Sequence, residues 1–234
     1  MSGIKMMLGI LAASIVLHGF TGYAHQSLLQ QGIAEEVLRF HVLANSDSAE
    51  DQEVKLKVRD AVLTWAEHAL IYVETTKEKE TEKLRKDSEK SDTAQENENR
   101  TDRIMSKEEI SEFLKGHLDE IKRLAEKILQ EYGYEYGASV KLQSCYFPDR
   151  TYKDCTFPAG WYDALRIELG EAKGQNWWCV FYPRLCFADY LHVVSEKEST
   201  EMEQEETLEQ ILTVEEYELL LQNPKEWKIG FRWF

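Results

Sequence analysis

The change of hydrophobic period within residues 36–73 constrains the fold of this chain more than any other feature. Apolar and polar residues alternate over residues 36–44, and one side of that stretch is wholly apolar, which is typical of a β-strand facing a core. Over residues 50–73 the apolar residues recur every three or four positions, which indicates a helix. Between the strand and the helix, Asp47 is followed three residues later by Glu50, and Ser48 is followed in the same way by Asp51. Each of these pairs is a helix-capping pattern. The sequence therefore predicts a strand that leads directly into a helix.

The second half of the chain predicts one more long helix and several strands. Ser106 and Glu109 form a capping-box pattern before a broad apolar helical face that ends near Gly133. Period-two patterning then predicts strands over residues 139–147, 162–169 and 177–182. We therefore expect an α+β fold, in which two or more helices pack on a mostly antiparallel sheet in a single domain.

Two polar segments lie outside the expected core. Residues 74–103 hold ten acidic and eight basic residues and almost no large apolar side chain. Such a segment cannot bury enough apolar surface to offset the entropy cost of ordering, so we expect a solvated insertion that is helical only in part. The expected α+β domain covers residues 33–194, and an acidic linker and C-terminal tail follow over residues 195–234, with a helical pattern at residues 214–221.

The N-terminus has the layout of a secretory signal. Lys5 is the only formally charged residue before Glu35, an uncharged and mostly apolar run covers residues 6–20, and small residues precede a possible cleavage position after Ala24. The run is shorter than the ~20 apolar residues that span a bilayer comfortably. We expect residues 1–24 to be a signal peptide or an N-terminal anchor, and a buried core helix is the remaining alternative. Either of the first two places the rest of the chain outside the cytoplasm.

The formal net charge of −15 narrows the classes of partner. Binding to nucleic acid depends on Lys and Arg neutralising phosphates, and adsorption to an anionic membrane surface depends on the same cations. We therefore expect no nucleic-acid partner, and we assign no cofactor and no small-molecule substrate.

The four cysteines favour disulfides, because their number is even and the chain has an export signal. Local pairing, Cys145–Cys155 and Cys179–Cys186, is the expected connectivity, since each pair brackets a turn-like segment. Free thiols are an alternative. A metal site is a weaker one, because neither spacing is C-x-x-C and no His lies between these cysteines.

Three stretches together resemble the stage II sporulation protein R family of endospore-forming bacteria. They are FHVLANSDSAEDQEVKLKVRDAVL at residues 40–63, TFPAGWYDALRIELGEAKGQ at residues 156–175, and NWWCVFYPRLCFAD at residues 176–189. The resemblance covers residues 33–73 and 105–194. The insertion at residues 74–103, the acidic tract at residues 195–209 and the Cys145/Cys155 pair depart from the family pattern.

The resemblance implies an exported signal between two cells. Members of the family are made in the forespore and exported across its membrane into the space between the forespore and mother-cell membranes. There they trigger a membrane-embedded aspartic protease that cuts the propeptide from pro-sigma-E. For this chain the implied partner is the ectodomain of that protease, and the implied action is contact and not catalysis.

The first predicted helix carries a candidate contact group, consisting of Lys55, Lys57, Arg59 and Asp60. These side chains are either a solvated helix face with local ion pairs or part of the surface that contacts the protease.

A second candidate contact group consists of Asn176, Trp177, Trp178 and Arg184. Adjacent residues of a strand point to opposite faces, so one Trp can lie in the core while the other contributes to recognition. Trp and Arg are common anchors of binding surfaces. The alternative is a disulfide-pinned hairpin that only packs.

His41, Ser46 and Asp47 suggest a hydrolase constellation only superficially. Ser and Asp beside a helix start are ordinary caps, and catalysis needs a nucleophile, a base and an orienting group in mutual contact. We therefore assign no catalytic or metal-binding residue and expect no enzyme. A secreted cell-wall-associated hydrolase or a wall-binding module is the alternative.

Overall fold

The computed structural model describes residues 2–88, 105–152, 155–182 and 208–221. The helices it describes include α1 (Ser2–Glu36), α2 (Ala49–Ser88), α3 (Lys107–Glu131) and α4 (Val214–Leu221). The strands are β1 (Leu38–Leu43), β2 (Ala138–Phe147), β3 (Arg150–Tyr152), β4 (Cys155–Phe157), β5 (Gly160–Leu169) and β6 (Asn176–Tyr182).

The main sheet has four strands in the spatial order β2-β5-β1-β6. β1 pairs antiparallel with β6, with His41 opposite Trp178 and Val42 opposite Trp177. It pairs parallel with β5, with Val42 opposite Ile167. Parallel neighbours need a crossover connection, and α2 and α3 lie in the chain between these two strands. The predicted α+β class with a mostly antiparallel sheet is confirmed, and the central parallel pair is an addition to it.

The chain divides into two compact units. The first unit comprises Met1–Val37, Ser144–Tyr162 and Glu201–Phe234, and the second comprises Leu38–Gln143 and Asp163–Thr200. The predicted domain limits, residues 33–194, stay a prediction.

In the second unit, caps at the starts of both long helices agree with the sequence patterns. The Asp51 N–H donates to Ser48 Oγ at 3.1 Å, so Ser48 and not Asp47 caps α2. At the start of α3, Glu109 N–H donates to Ser106 Oγ at 3.2 Å and Ser106 N–H donates to the Glu109 carboxylate at 3.0 Å. The second pair completes the predicted capping box.

Helices α2 and α3 pack against each other through apolar faces. The buried apolar residues of α2 are Val54, Val58, Val62, Leu63, Ala66 and Leu70, and those of α3 are Ile110, Leu114, Ile121, Ala125 and Leu129. Trp65 contacts Phe113 with ring centroids 6.0 Å apart and donates to Glu120 at 3.0 Å. Leu56 and Tyr72, two large apolar residues of the helical pattern at residues 50–73, are exposed. The buried α2 face is therefore narrower than the pattern indicates.

Helix α2 continues beyond its predicted end near Val73 as far as Ser88. The prediction of partial helix within residues 74–103 is confirmed up to that point, and residues 89–104 lie outside the described residues. Glu, Lys, Leu and Arg are good helix formers, so a strongly charged segment can extend a helix into solvent without burying it.

In the first unit, α4 packs against the C-terminal part of α1. The predicted helix at residues 214–221 is confirmed, and Thr213 and Glu216 cap it reciprocally at 2.8 and 3.4 Å. The Glu216 carboxylate lies directly against Gly32, so α4 approaches α1 closely at this position. Part of the predicted tail therefore belongs to a compact unit.

Helix α1 extends beyond the expected signal peptide or anchor as far as Glu36. Ile33, near its end, is fully buried, whereas the large apolar side chains between Met6 and Leu28 whose burial is described are exposed. Among the described residues, no helix combines the length and the apolar character needed to cross a bilayer.

Candidate docking surface

Trp177 occupies the second position of β6, next to the central strand. Its ring meets the Phe40 ring edge-on, with centroids 5.6 Å apart at 79°. Phe40 also contacts Phe181 in the same manner, at 5.8 Å. Phe40 is fully buried while Trp177 is half-buried. One edge of the indole therefore contacts the core, and part of the ring is exposed at the surface of the protein.

Arg59 of α2 lies over the Trp177 ring, with its guanidinium carbon 4.9 Å from the ring centroid. Its Nε and Nη2 atoms both lie 2.6 Å from the Asp60 carboxylate. A guanidinium that stacks on an indole and pairs with a carboxylate loses few conformations on binding a partner. Arg59 and Asp60 side chains are 21% and 28% exposed, so the stacked group reaches solvent. The structure thus brings together residues from both predicted contact groups.

Leu56 extends this surface along α2, whereas Lys57, two residues before Arg59, lies on another face of the helix. Leu56 is 36% exposed and lies three residues before Arg59, a spacing that puts two side chains on the same helix face. Lys57 is exposed. We call Leu56, Arg59, Asp60 and Trp177 the docking surface.

Lys55, by contrast, is buried and joins α2 to the loop between β5 and β6. Its Nζ donates to Gln52 Oε1 at 2.6 Å and to the Gln175 carbonyl at 3.2 Å. Burial and the neighbouring Arg59 charge lower the pKa of Lys55, and Asp47 opposes them. The predicted contact role does not suit a buried ammonium, and Lys55 instead positions the loop that precedes Trp177.

Asn176 and Trp178 hold His41 on the opposite face of the sheet. The His41 Nε2 lies 3.0 Å from Asn176 Oδ1, and its ring stacks on the Trp178 indole at 3.7 Å and 16°. Burial lowers the pKa of His41 to about 4, helped by the Arg166 charge and opposed by the Asn176 hydrogen bond and Glu168. His41 is therefore neutral near neutral pH, and the two tryptophans divide between the two faces as predicted.

A polar cluster fixes the turn between β1 and α2. The Asp51 carboxylate accepts hydrogen bonds from Ser46 Oγ at 2.5 Å, Asn45 Nδ2 at 2.9 Å and Tyr136 OH at 2.6 Å. Desolvation acts to raise the pKa of Asp51, but these hydrogen bonds outweigh it and lower that pKa. Tyr136 is a residue that sequence reasoning missed, because no local pattern links it to a turn 85 positions away.

The same cluster holds the loop that leads into β6. The Asn45 side-chain oxygen accepts from the Glu171 N–H at 2.9 Å, and the Asn45 carbonyl accepts from the Lys173 N–H at 3.1 Å. A Cβ atom at Gly174 would collide with the Ser46 carbonyl, so glycine permits this close approach. The position of Trp177 thus depends on contacts that begin at Asp51.

The cysteine predictions have two outcomes. Cys145 and Cys155 are not joined to each other by a disulfide, so the predicted Cys145–Cys155 bridge is wrong. Cys145 is buried on β2, whereas Cys155 is paired opposite Tyr152 in the small β3–β4 sheet. Cys179 is disulfide-bonded. Its predicted partner Cys186 lies outside the described residues, as does Arg184, so both of those assignments stay predictions.

The three residues that superficially suggest a hydrolase have separate structural roles. His41 bonds to Asn176, the Ser46 hydroxyl donates to Asp51, and Asp47 is exposed. Within the described part of the chain, no three His, Cys, Asp or Glu side chains are arranged to hold a metal ion.

The fold and this surface define an α+β protein in which an arginine, an aromatic ring and an exposed leucine converge on one side of a helix–sheet layer. The family model described as "Stage II sporulation protein R (spore_II_R)" matches residues 34–104 and 86–192. The chain is also 33% identical over 181 residues to a stage II sporulation protein R of Bacillus subtilis (strain 168). This alignment covers 75% of the chain and 65% of that relative, slightly less than two thirds of its length.

The chain therefore belongs to the stage II sporulation protein R family, and the predicted resemblance is confirmed. The family is named for sporulation and not for an enzymatic activity. No solved structure matches the chain.

Proposed function

We propose that this chain is an exported signalling protein of sporulation that activates the membrane-embedded aspartic protease that processes pro-sigma-E. The observation that carries the proposal is the stacking of Arg59 on Trp177, which joins two candidate groups far apart in sequence into one partly exposed surface. Arg and Trp dominate the binding energy of many protein interfaces, especially when packing fixes them in advance.

Export is supported by the unequal burial of α1. Where burial is described between Met6 and Leu28, its large apolar side chains are 58–73% exposed, whereas Ile33 is fully buried in the first unit. Exposed apolar side chains of this kind need either an apolar environment or removal of the segment that carries them, and both fit a signal peptide or anchor at residues 1–24. The protein would then act in the space between the forespore and mother-cell membranes.

Activation by contact requires the docking surface to bind the active protease more tightly than the inactive one. A tenfold shift toward the active state needs a difference in binding free energy of about 1.4 kcal/mol. The separate structural roles of His41 and Ser46 support action without catalysis by this chain.

The test is co-expression of this chain with the protease and pro-sigma-E in a non-sporulating host, with cleaved sigma-E as the readout. The wild-type chain should raise cleavage above the level without it, and Arg59→Ala and Trp177→Ala should each lower cleavage about tenfold at equal export. Arg123→Ala is the matched control, because Arg123 is an exposed arginine on α3.

Two results would contradict the proposal. If the exported wild-type chain does not change cleavage, the assigned function is wrong. If both surface variants activate as well as Arg123→Ala, the function stands but the docking surface lies elsewhere.

A further inference from the structure

Two aromatic pairs lie on opposite faces of β2 and β5 within the first unit. The inner pair is Phe147 and Tyr162, with ring centroids 5.9 Å apart at 78°, and both rings are buried. The outer pair is Tyr146 and Trp161, with centroids 6.0 Å apart at 74°. Tyr146 is 54% and Trp161 is 64% exposed. The inner pair stabilises the core, whereas the outer pair leaves two large rings in solvent.

The backbone on either side of the outer pair is held firmly. Tyr162, next to Trp161, is buried and donates its hydroxyl to the Pro158 carbonyl at 2.7 Å. On the other side of Trp161, a Cβ atom at Gly160 would collide with the Gln30 side chain, so this glycine lies directly against α1. Phe147, next to Tyr146, is fully buried. The two exposed rings are therefore presented in a fixed arrangement, which lowers the entropy cost of binding a ligand.

The area of the outer pair suits a small ligand better than a protein. Aromatic side chains offer roughly 150–250 Å² each, so rings a little over half exposed present on the order of 200–300 Å². A stable protein–protein interface takes about 800 Å² from each partner. The outer pair supplies about a third of that area, which is comparable to the face of one or two sugar rings.

The chemistry of the outer pair indicates a ligand without net charge, since the exposed Asp163, two residues after Trp161 on the same side of β5, is neutralised by an ion pair with Lys107 at 3.1 Å. The Tyr146 hydroxyl and the Trp161 indole N–H are uncharged hydrogen-bonding groups at the edges of apolar rings. Ser144 is exposed and lies two residues before Tyr146, on the same side of β2, and adds a third neutral group. Small-ligand sites commonly combine aromatic surface with a few polar groups that fix orientation. A pyranose ring matches this arrangement, because its C–H face is apolar and its rim carries hydroxyls.

We propose that Tyr146 and Trp161 form a binding site for a neutral oligosaccharide, with one sugar ring stacked on the Trp161 indole. This site is separate from the docking surface and does not depend on the function proposed above.

The test uses the full chain labelled with 5-fluorotryptophan and observed by fluorine NMR, with chitohexaose and cellohexaose as probes. The Trp161 resonance is assigned from Trp161→Phe. It should shift in a saturable manner with at least one probe, while the Trp177 and Trp178 resonances stay in place. Tyr146→Ala should weaken binding by about tenfold. Tyr132→Ala is the matched control, since Tyr132 is similarly exposed (52%), and it should leave the affinity unchanged.

The proposal fails if neither probe shifts the Trp161 resonance saturably, or if Tyr146→Ala binds as tightly as the control. It also fails if the Trp161 resonance moves with protein concentration alone, which would assign the rings to contact between two copies. Unchanged melting of Tyr146→Ala shows that the variant is folded. If the protease cleaves pro-sigma-E as much with Tyr146→Ala as with the wild-type chain, the two sites act separately.

Discussion

Asp51→Asn tests whether the polar cluster at the turn between β1 and α2 stabilises the second unit. The carboxylate accepts three side-chain hydrogen bonds, from Ser46, Asn45 and Tyr136. Each is worth about 1 kcal/mol or somewhat more, because the acceptor is charged. The amide keeps one acceptor and turns its NH2 group toward the donors. Water reaches the half-buried Ser46 and Asn45 and recovers part of the loss. We expect the free energy of unfolding to fall by about 2 kcal/mol.

The effect of Asp51→Asn should depend on pH with a definite sign. The hydrogen bonds lower the pKa of Asp51 in the folded protein below its ordinary value. The stability that the carboxylate contributes is therefore complete above the unfolded-state pKa of about 3.9, and it is lost as the pH falls through the lower folded-state value. The difference between wild type and variant should be full near neutral pH and should shrink below about pH 4.

Urea denaturation followed by circular dichroism measures the difference in unfolding free energy between wild type and variant, once near neutral pH and once below about pH 4. Asp47→Asn is the control, since Asp47 is an exposed carboxylate in the same turn, and its effect should stay within about 0.5 kcal/mol. If Asp51→Asn costs no more than Asp47→Asn, or if its cost is the same in acid as at neutral pH, the hydrogen bonds to the carboxylate do not stabilise the fold.

Two further predictions concern the docking surface and the loop before it. A double-mutant cycle of Arg59→Ala and Trp177→Leu should give a coupling energy of about 1 kcal/mol for the stacked pair in urea denaturation, and additive effects would mean that the stacking contributes nothing. Ala172 adopts a φ of 53°, which strains a residue with a Cβ atom. Ala172→Gly should therefore stabilise the protein by about 0.5 kcal/mol despite the added freedom of the unfolded chain, and melting no higher than wild type would refute this. Ala159→Gly, at an exposed alanine outside the positive-φ residues, should instead destabilise it slightly.

The starts of the helices could be predicted from sequence because caps are encoded within four residues. Ser106 with Glu109, and Ser48 before α2, are local patterns whose hydrogen bonds close within the same turn. The end of α2 could not be placed in the same way. The composition of residues 74–88 excludes burial, but it does not exclude a solvated helix of good helix formers.

The docking surface could be predicted only as two separate groups. Arg59 and Trp177 each carry a recognisable chemistry, but their stacking depends on β6 lying beside β1 under α2. That register follows from pairing between strands far apart in the chain, which no local period encodes. The Cys145–Cys155 prediction failed for the same reason, since proximity in sequence says little about whether two side chains meet across different sheets.

The rigidity of the docking surface bears on how a signal of this kind would act. Phe40 fixes the Trp177 ring from the core, Asp60 fixes the Arg59 guanidinium, and the Asn45 contacts hold the loop before β6. A surface held at each of these points has little freedom to adapt to a partner. Under the proposed function, the conformational change of activation would take place in the protease, and this chain would favour the active state by fitting it better. Variants that loosen the surface, such as Asp51→Asn, should therefore weaken activation even though Asp51 itself is buried.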